Sequence, residues 1–84
     1  MFSPSQLRAA RALVGWSQSE IAKAAGLSVP TIKRAEADRG IKVSEEAAAA
    51  IASVLKKVGV EFIEENGGGA GVRLRKAQSP ARHK

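Results

Sequence analysis

The sequence predicts an all-α fold, a compact bundle of four short helices, followed by a short C-terminal β-hairpin. Ser3, Ser17, Ser28 and Ser44 each stand just ahead of a run whose apolar residues recur at helical spacing, the pattern of an N-cap serine opening an amphipathic helix. Gly15, Gly26 and Gly59 follow the first, second and fourth of these runs, where a left-handed residue stops a helix. Beyond Gly59 the apolar period shortens to two, the period of a strand.

In chain order, Ser3 caps, Pro4 suits the first helical position and Gln6 completes a capping box, so the first helix spans residues 4–14. Leu7, Ala10, Leu13 and Val14 form its apolar face, with Arg8 and Arg11 away from it. Ser17 and Glu20 make a second box opening a helix over 18–25, with Ile21, Ala22 and Ala25 inward. Ser28 caps a third helix, residues 29 to about 37, with Pro30 in the first turn and Ile32 and Ala35 as its buried pair. Ser44 caps the fourth, whose Glu45 and Glu46 oppose the positive helix end. Its inner stripe is Ala47, Ala48, Ile51, Val54, Leu55 and Val58. Residues 60–64 and 72–75 then read as two strands around a glycine-rich turn. Pairing Phe62 with Leu74 would place Glu61 against Arg75. Three segments result: a helical domain at 1–59, a hairpin extension at 60–76 and a basic tail at 77–84 with no periodicity, expected to be disordered.

Composition narrows the function. The chain has 84 residues, 44% hydrophobic and 26% charged, enough for one core and too few for a separate catalytic domain. It has no cysteine, which removes disulfides, thiolate metal sites and cysteine nucleophiles. No apolar run is long enough to cross a membrane, so the expectation is a soluble cytoplasmic protein with no membrane partner. Its 14 basic and 8 acidic side chains give a net charge of +6 and a pI near 10.4, a balance that favours polyanionic partners. Residues 72–84 hold five of the basic groups and no acidic one.

Residues 17–37 have the anatomy of a helix-turn-helix: two short capped helices, a glycine turn, and a second helix with polar and basic residues outward. Gly15-Trp16-Ser17-Gln18-Ser19-Glu20-Ile21-Ala22, Gly26-Leu27-Ser28 and Thr31-Ile32-Lys33-Arg34-Ala35-Glu36 resemble the Cro/C1-type (XRE-like) helix-turn-helix family of bacterial and phage transcription regulators. The resemblance covers residues 4 to about 58 and implies a lambda-repressor-like four-helix domain that binds double-stranded DNA. It also implies that Gln18 anchors to a DNA phosphate and that the start of the third helix reads bases. The matching positions are Ser28, Val29, Pro30, Thr31, Lys33 and Arg34.

The chemistry of these side chains agrees. Arg34 can offer a bidentate fork to guanine O6 and N7, Lys33 a point charge, Thr31 a hydroxyl or methyl, and Val29 an apolar contact to a thymine methyl. Val29 and Pro30 cannot hydrogen-bond a base edge, so direct readout is expected to be sparse. Gln18, Ser28, Arg39 and Lys42 are the expected phosphate contacts. Arg39 and Lys42 stand in for the Asn-Gly that many members carry after the third helix.

Other readings of single residues give way to structural ones. Trp16 is expected to serve the core rather than stack on a base. Glu36 is expected to bridge to Arg8 or Arg11. Glu45 and Glu46 point apart on a helix start and do not form an acid/base pair. His83 has no companion ligand, and the glycine turn lacks the lysine and helix of a phosphate loop. No enzyme, cofactor, metal or small-molecule ligand is expected. The functional expectation is a sequence-specific repressor, acting as a homodimer on an inverted repeat. Promoter activation, an antitoxin whose main role is protein contact, and a membrane-surface or RNA-binding basic module are the alternatives; the last lacks the aromatic residues beside its basic ones that RNA stacking would use. One recognition helix covers few base pairs, so a dimer is expected, with Val60, Phe62, Val72 and Leu74 of the hairpin as its contact face. Whether that face closes within one chain or across two stays open.

Overall fold

The structure, a computed structural model, describes residues 2–37, 43–65 and 67–75. Helices α1 (Pro4–Val14), α2 (Gln18–Ala25), α3 (Val29–Glu36) and α4 (Glu45–Lys57) precede strands β1 (Val60–Ile63) and β2 (Gly71–Leu74). Each helix starts where its serine predicts. The Ser3, Ser17, Ser28 and Ser44 hydroxyls accept from the amides of Gln6, Glu20, Thr31 and Ala47, each cap contributing about 1 kcal/mol. The Gln6 and Glu20 side chains accept in return from the Ser3 and Ser17 amides at 2.8 and 2.7 Å.

Both glycine stops before α3 have one geometry. At Gly15 (φ 72°) its amide donates to Ala12 O and the Trp16 amide to Arg11 O; at Gly26 (φ 72°) its amide donates to Lys23 O and the Leu27 amide to Ala22 O. These paired bonds satisfy the last carbonyls of α1 and α2 and reverse the chain in two residues. Short turns of fixed shape make the three-helix arrangement rigid.

Leu7, Ile21, Ile32, Ile51, Leu55 and Val60 are fully buried, so every helix and β1 feed one core. Each such side chain contributes about 1.5–3 kcal/mol of burial. Ile32 and Ala35 form the predicted buried pair of α3, and Trp16 packs partly buried against the core. Two assignments, Leu13 and Val58, need correction, and two buried residues were not foreseen. Leu13 of α1 and Val58 after α4 are exposed at 43% and 39%, while Gln6 and Ala52 are buried in the places an apolar stripe would assign to others. Leu7, Ala10 and Val14 turn to the core at three- and four-residue steps, which leaves Leu13 to the side of that face, and Val58 has already left helical geometry (φ −94°, ψ 13°).

The hairpin is antiparallel with Val60 opposite Leu74, Glu61 opposite Arg73, Phe62 opposite Val72 and Ile63 opposite Gly71. This corrects the expected register by two residues on β2. The pairing of Phe62 with Leu74 is replaced by Phe62 with Val72, and Glu61 bonds Arg73 (Arg73 Nε to Glu61 Oε1, 2.8 Å) rather than Arg75. The reason lies at the closed end. The Arg75 amide donates to Gly59 O at 2.7 Å and its guanidinium to Lys56 O, which draws β2 back along the end of α4. Opposite side chains share a face, so Val60, Phe62, Val72 and Leu74 still lie together; Val60, Phe62 and Val72 meet the core, and Leu74 stays exposed.

A buried glutamine holds the hairpin there. Gln6 Nε2 donates both to Ile63 O (3.1 Å) and to Gly71 O (3.0 Å), while its Oε1 accepts from Ser3 N. The capping residue of α1 is thus also the latch of the hairpin, and the Phe2 ring stacks on Phe62 beside it at 5.4 Å between centroids.

Candidate nucleic-acid interface

The outward side of α3 is built by what its inward side must do. Ile32, Ala35 and Glu36 are buried, which leaves Pro30, Lys33 and Arg34, spaced i, i+3 and i+4, as one exposed stripe. Among the described residues no hydrogen bond or ion pair holds the Lys33 or Arg34 side chain. Both are free to meet a ligand. Val29 is half-buried and packs against the core, so only part of it remains for an outside contact. The Thr31 hydroxyl lies 2.9 Å from the Ser28 hydroxyl, which ties both polar groups to the helix start.

Behind this stripe lies an ionic hub. Glu36 is 6% exposed, and its carboxylate accepts from Arg11 Nε at 2.6 Å, Arg11 Nη2 at 3.1 Å and Gln18 Nε2 at 3.1 Å. Arg11 also donates to Trp16 O at 3.0 Å, and Arg8 donates to the Glu36 carbonyl. One carboxylate therefore joins α1, α2 and α3, Arg11 carries the tie on to the α1–α2 turn, and both carboxylate oxygens accept hydrogen bonds. The hydrogen bond to Glu36 holds the Arg11 pKa above its ordinary value; partial burial opposes this and the attraction of the two charges adds to it. The two-pronged contact is the geometry in which a guanidinium binds a carboxylate best.

Gln18 stands at the first position of α2, its backbone amide among the unpaired donors of a helix start. One Nε2 hydrogen goes to Glu36, leaving the second hydrogen and the Oε1 for another partner. Its amide plane is oriented before any ligand arrives. The bridge from Glu36 to Arg11 was one of the two expected from sequence; the part played by Gln18 in it was not, because eighteen residues separate the pair and nothing in the local pattern marks it.

The structure thus brings Gln18, Ser28, Thr31, Lys33 and Arg34 onto two adjoining helices whose mutual angle is fixed by the Gly26 turn and the Glu36 hub. Arg39 and Lys42 lie outside the described residues, as do residues 77–84. The four hairpin residues expected to meet a second chain are largely used within their own. Val60 is fully buried, Phe62 stacks on Phe2, Phe62 and Val72 pack on the core, and Leu74 alone is 46% exposed. Among the described residues no group of acidic or histidine side chains could hold a metal ion, and no helix is long and apolar enough to cross a membrane.

Comparison with curated proteins finds no match. A family profile described as helix-turn-helix matches residues 7–63, well over half of the chain and all four helices except the first residues of α1. The capped α2, the glycine turn and α3 with its exposed basic stripe are the unit that gives this family its name, and the chain belongs to the Cro/C1-type helix-turn-helix family of DNA-binding regulators.

Proposed function

We propose that the chain is a sequence-specific transcriptional repressor that binds an inverted-repeat operator in the bacterial cytoplasm as a homodimer, with α3 in the major groove. The observation that carries this reading is the Lys33 and Arg34 pair, without a partner among the described residues, on a helix whose other face is locked by Ile32, Ala35 and Glu36. A rigid helix presenting free basic side chains loses little order on binding. Arg34 reads guanine by a bidentate contact, Lys33 meets guanine or a phosphate, and Val29, Pro30 and the Thr31 methyl give shape and thymine contacts. Gln18 and Ser28, at the two helix starts, take backbone phosphates and set the register. Arg39 and Lys42 are proposed to add phosphate contacts from the loop after α3. Occupying a promoter requires binding alone, which favours repression.

The test is selection of bound sequences from a random duplex library, followed by footprinting on the winner. The expected result is one motif with two-fold symmetry and two protected half-sites about 34 Å apart. Recovery of unenriched DNA would overturn sequence specificity, and a single asymmetric half-site would overturn the dimer.

A further inference from the structure

Helix α4 gives one side to the core through Ala47, Ile51, Ala52 and Leu55. Glu45, Glu46, Ala49, Ser53, Lys56 and Lys57 are exposed on the rest of it. Among the described residues none of these four charged side chains has an ionic partner. Helix-end electrostatics accounts for acids in the first turn and lysines in the last. It does not account for the two residues between them, which are small where an exposed helix ordinarily carries long polar side chains. Ala49 and Ser53, with Ala52 and the two lysines, line a shallow depression along the helix.

The order of these residues is self-complementary. Glu46, Ala49, Ser53 and Lys56 follow at three-, four- and three-residue steps, which keeps them on one stripe. If a second α4 lies antiparallel on this stripe about a two-fold axis that passes between Ala49 and Ser53, level with residue 51 along the helix, Glu46 comes opposite the partner's Lys56, Glu45 opposite the partner's Lys57, and Ala49 opposite the partner's Ser53. Each pair occurs twice. Small residues at the centre allow the helix axes to approach to about 8 Å, and the charges close both ends. The hairpin face offers less, since its own chain buries Val60 and partly covers Phe62 and Val72, leaving Leu74 exposed.

We propose that the exposed face of α4 is the surface on which two copies of this chain meet, paired antiparallel through Glu46 and Lys56. This deepens the homodimer reading above and rests on it. One helix face about 20 Å long buries less than the roughly 800 Å² per partner of a durable interface. The free dimer is therefore weak and salt-sensitive, and two half-sites on one DNA tighten it by holding the copies together.

The test is sedimentation of the whole chain at low salt, with circular dichroism to follow folding. The wild-type chain is expected to show a concentration-dependent monomer–dimer equilibrium. Glu46→Lys alone and Lys56→Glu alone place like charges in both symmetric pairs, and each is expected to weaken association by about tenfold or more. An equimolar mixture of the two single variants restores opposite charges in both pairs and is expected to form a heterodimer within about threefold of the wild-type affinity. The double variant Glu46→Lys/Lys56→Glu is expected to re-associate likewise while melting lower, because it opposes the helix dipole at both ends. Helix-end electrostatics alone would give the double variant the lowest stability with no change in association.

Single variants that dimerise like the wild type, or a mixture that stays monomeric, would overturn the α4 interface and leave the inverted-repeat reading standing. A wild-type chain that stays monomeric both free and on DNA carrying two half-sites would overturn both.

Discussion

The side-chain amide of Gln18, at the start of α2, donates to the buried carboxylate of Glu36, at the end of α3, across 3.1 Å. The residue proposed to grip a phosphate is therefore fastened to the helix proposed to read the bases. In that reading register and readout are mechanically one unit.

Removing the hub should loosen that unit. Glu36→Ala leaves Arg11 and Gln18 without their acceptor and is expected to cost about 2–4 kcal/mol, read as a lower urea midpoint. A loss below about 0.5 kcal/mol would show that the hub adds nothing to folding. The raised Arg11 pKa fixes the alkaline side of the same contact. A cation held above its ordinary value stabilises the fold at every pH below that value and stops only as pH rises through the shifted one. Loss of guanidinium charge therefore removes no stability between pH 7 and 10, and a urea midpoint that fell across that range through Arg11, judged against Arg11→Ala, would contradict this.

The base-reading and phosphate roles separate by their effect on random DNA. Arg34→Ala is expected to cost about 1–3 kcal/mol on the operator and little on random duplex. Gln18→Ala should weaken both alike, and should also lower the melting temperature, since it strips a donor from Glu36. Titrations of each variant on both DNAs decide. Equal losses for Arg34→Ala would move that residue to the backbone.

Affinity should fall steeply with salt. Five lysines and arginines neutralising phosphates per bound chain would give a log–log slope of about −4 to −5, measured by fluorescence anisotropy across a salt series. A flat line would exclude phosphate neutralisation as the driving force.

The latch is testable apart from DNA. Gln6→Leu keeps the volume but abandons the Ser3 amide and the carbonyls of Ile63 and Gly71, a loss of about 2–3 kcal/mol. Hydrogen exchange should quicken in β1 and β2 before it does in α2. Unchanged exchange in the strands would mean that the hairpin is held by Val60 and Phe62 alone.

Most of the fold was legible because its determinants are local. Four serine caps, two glycine stops and the three-four apolar spacing each act within a few residues, and each element begins within a residue of where they place it. The hairpin register was not legible, because it depends on Arg75 reaching Gly59 and Lys56, contacts between segments with no shared pattern. Gln6 illustrates the same limit. Its sequence context announces a cap, and nothing nearby announces the two distant carbonyls it also binds. At the candidate interface, α3 was legible from Ser28, Ile32 and Ala35, whose burial dictates which side chains face out. The fastening of Gln18 to Glu36 was not.

The bond from Gln6 to Gly71 spans 65 positions of an 84-residue chain, which ties nearly the whole polypeptide into a ring closed by weak bonds. Closing so large a loop costs entropy before it returns anything, and contacts of this separation form late and slowly. During synthesis the first helix is made without its partners, and the fully buried Val60 and both acceptor carbonyls arrive only after all four helices have been polymerised. A nascent chain halted at residue 59 holds the entire helix-turn-helix sequence and lacks the piece that plugs its core. Closure of the core thus waits for β2 to be made and not for the helix-turn-helix alone.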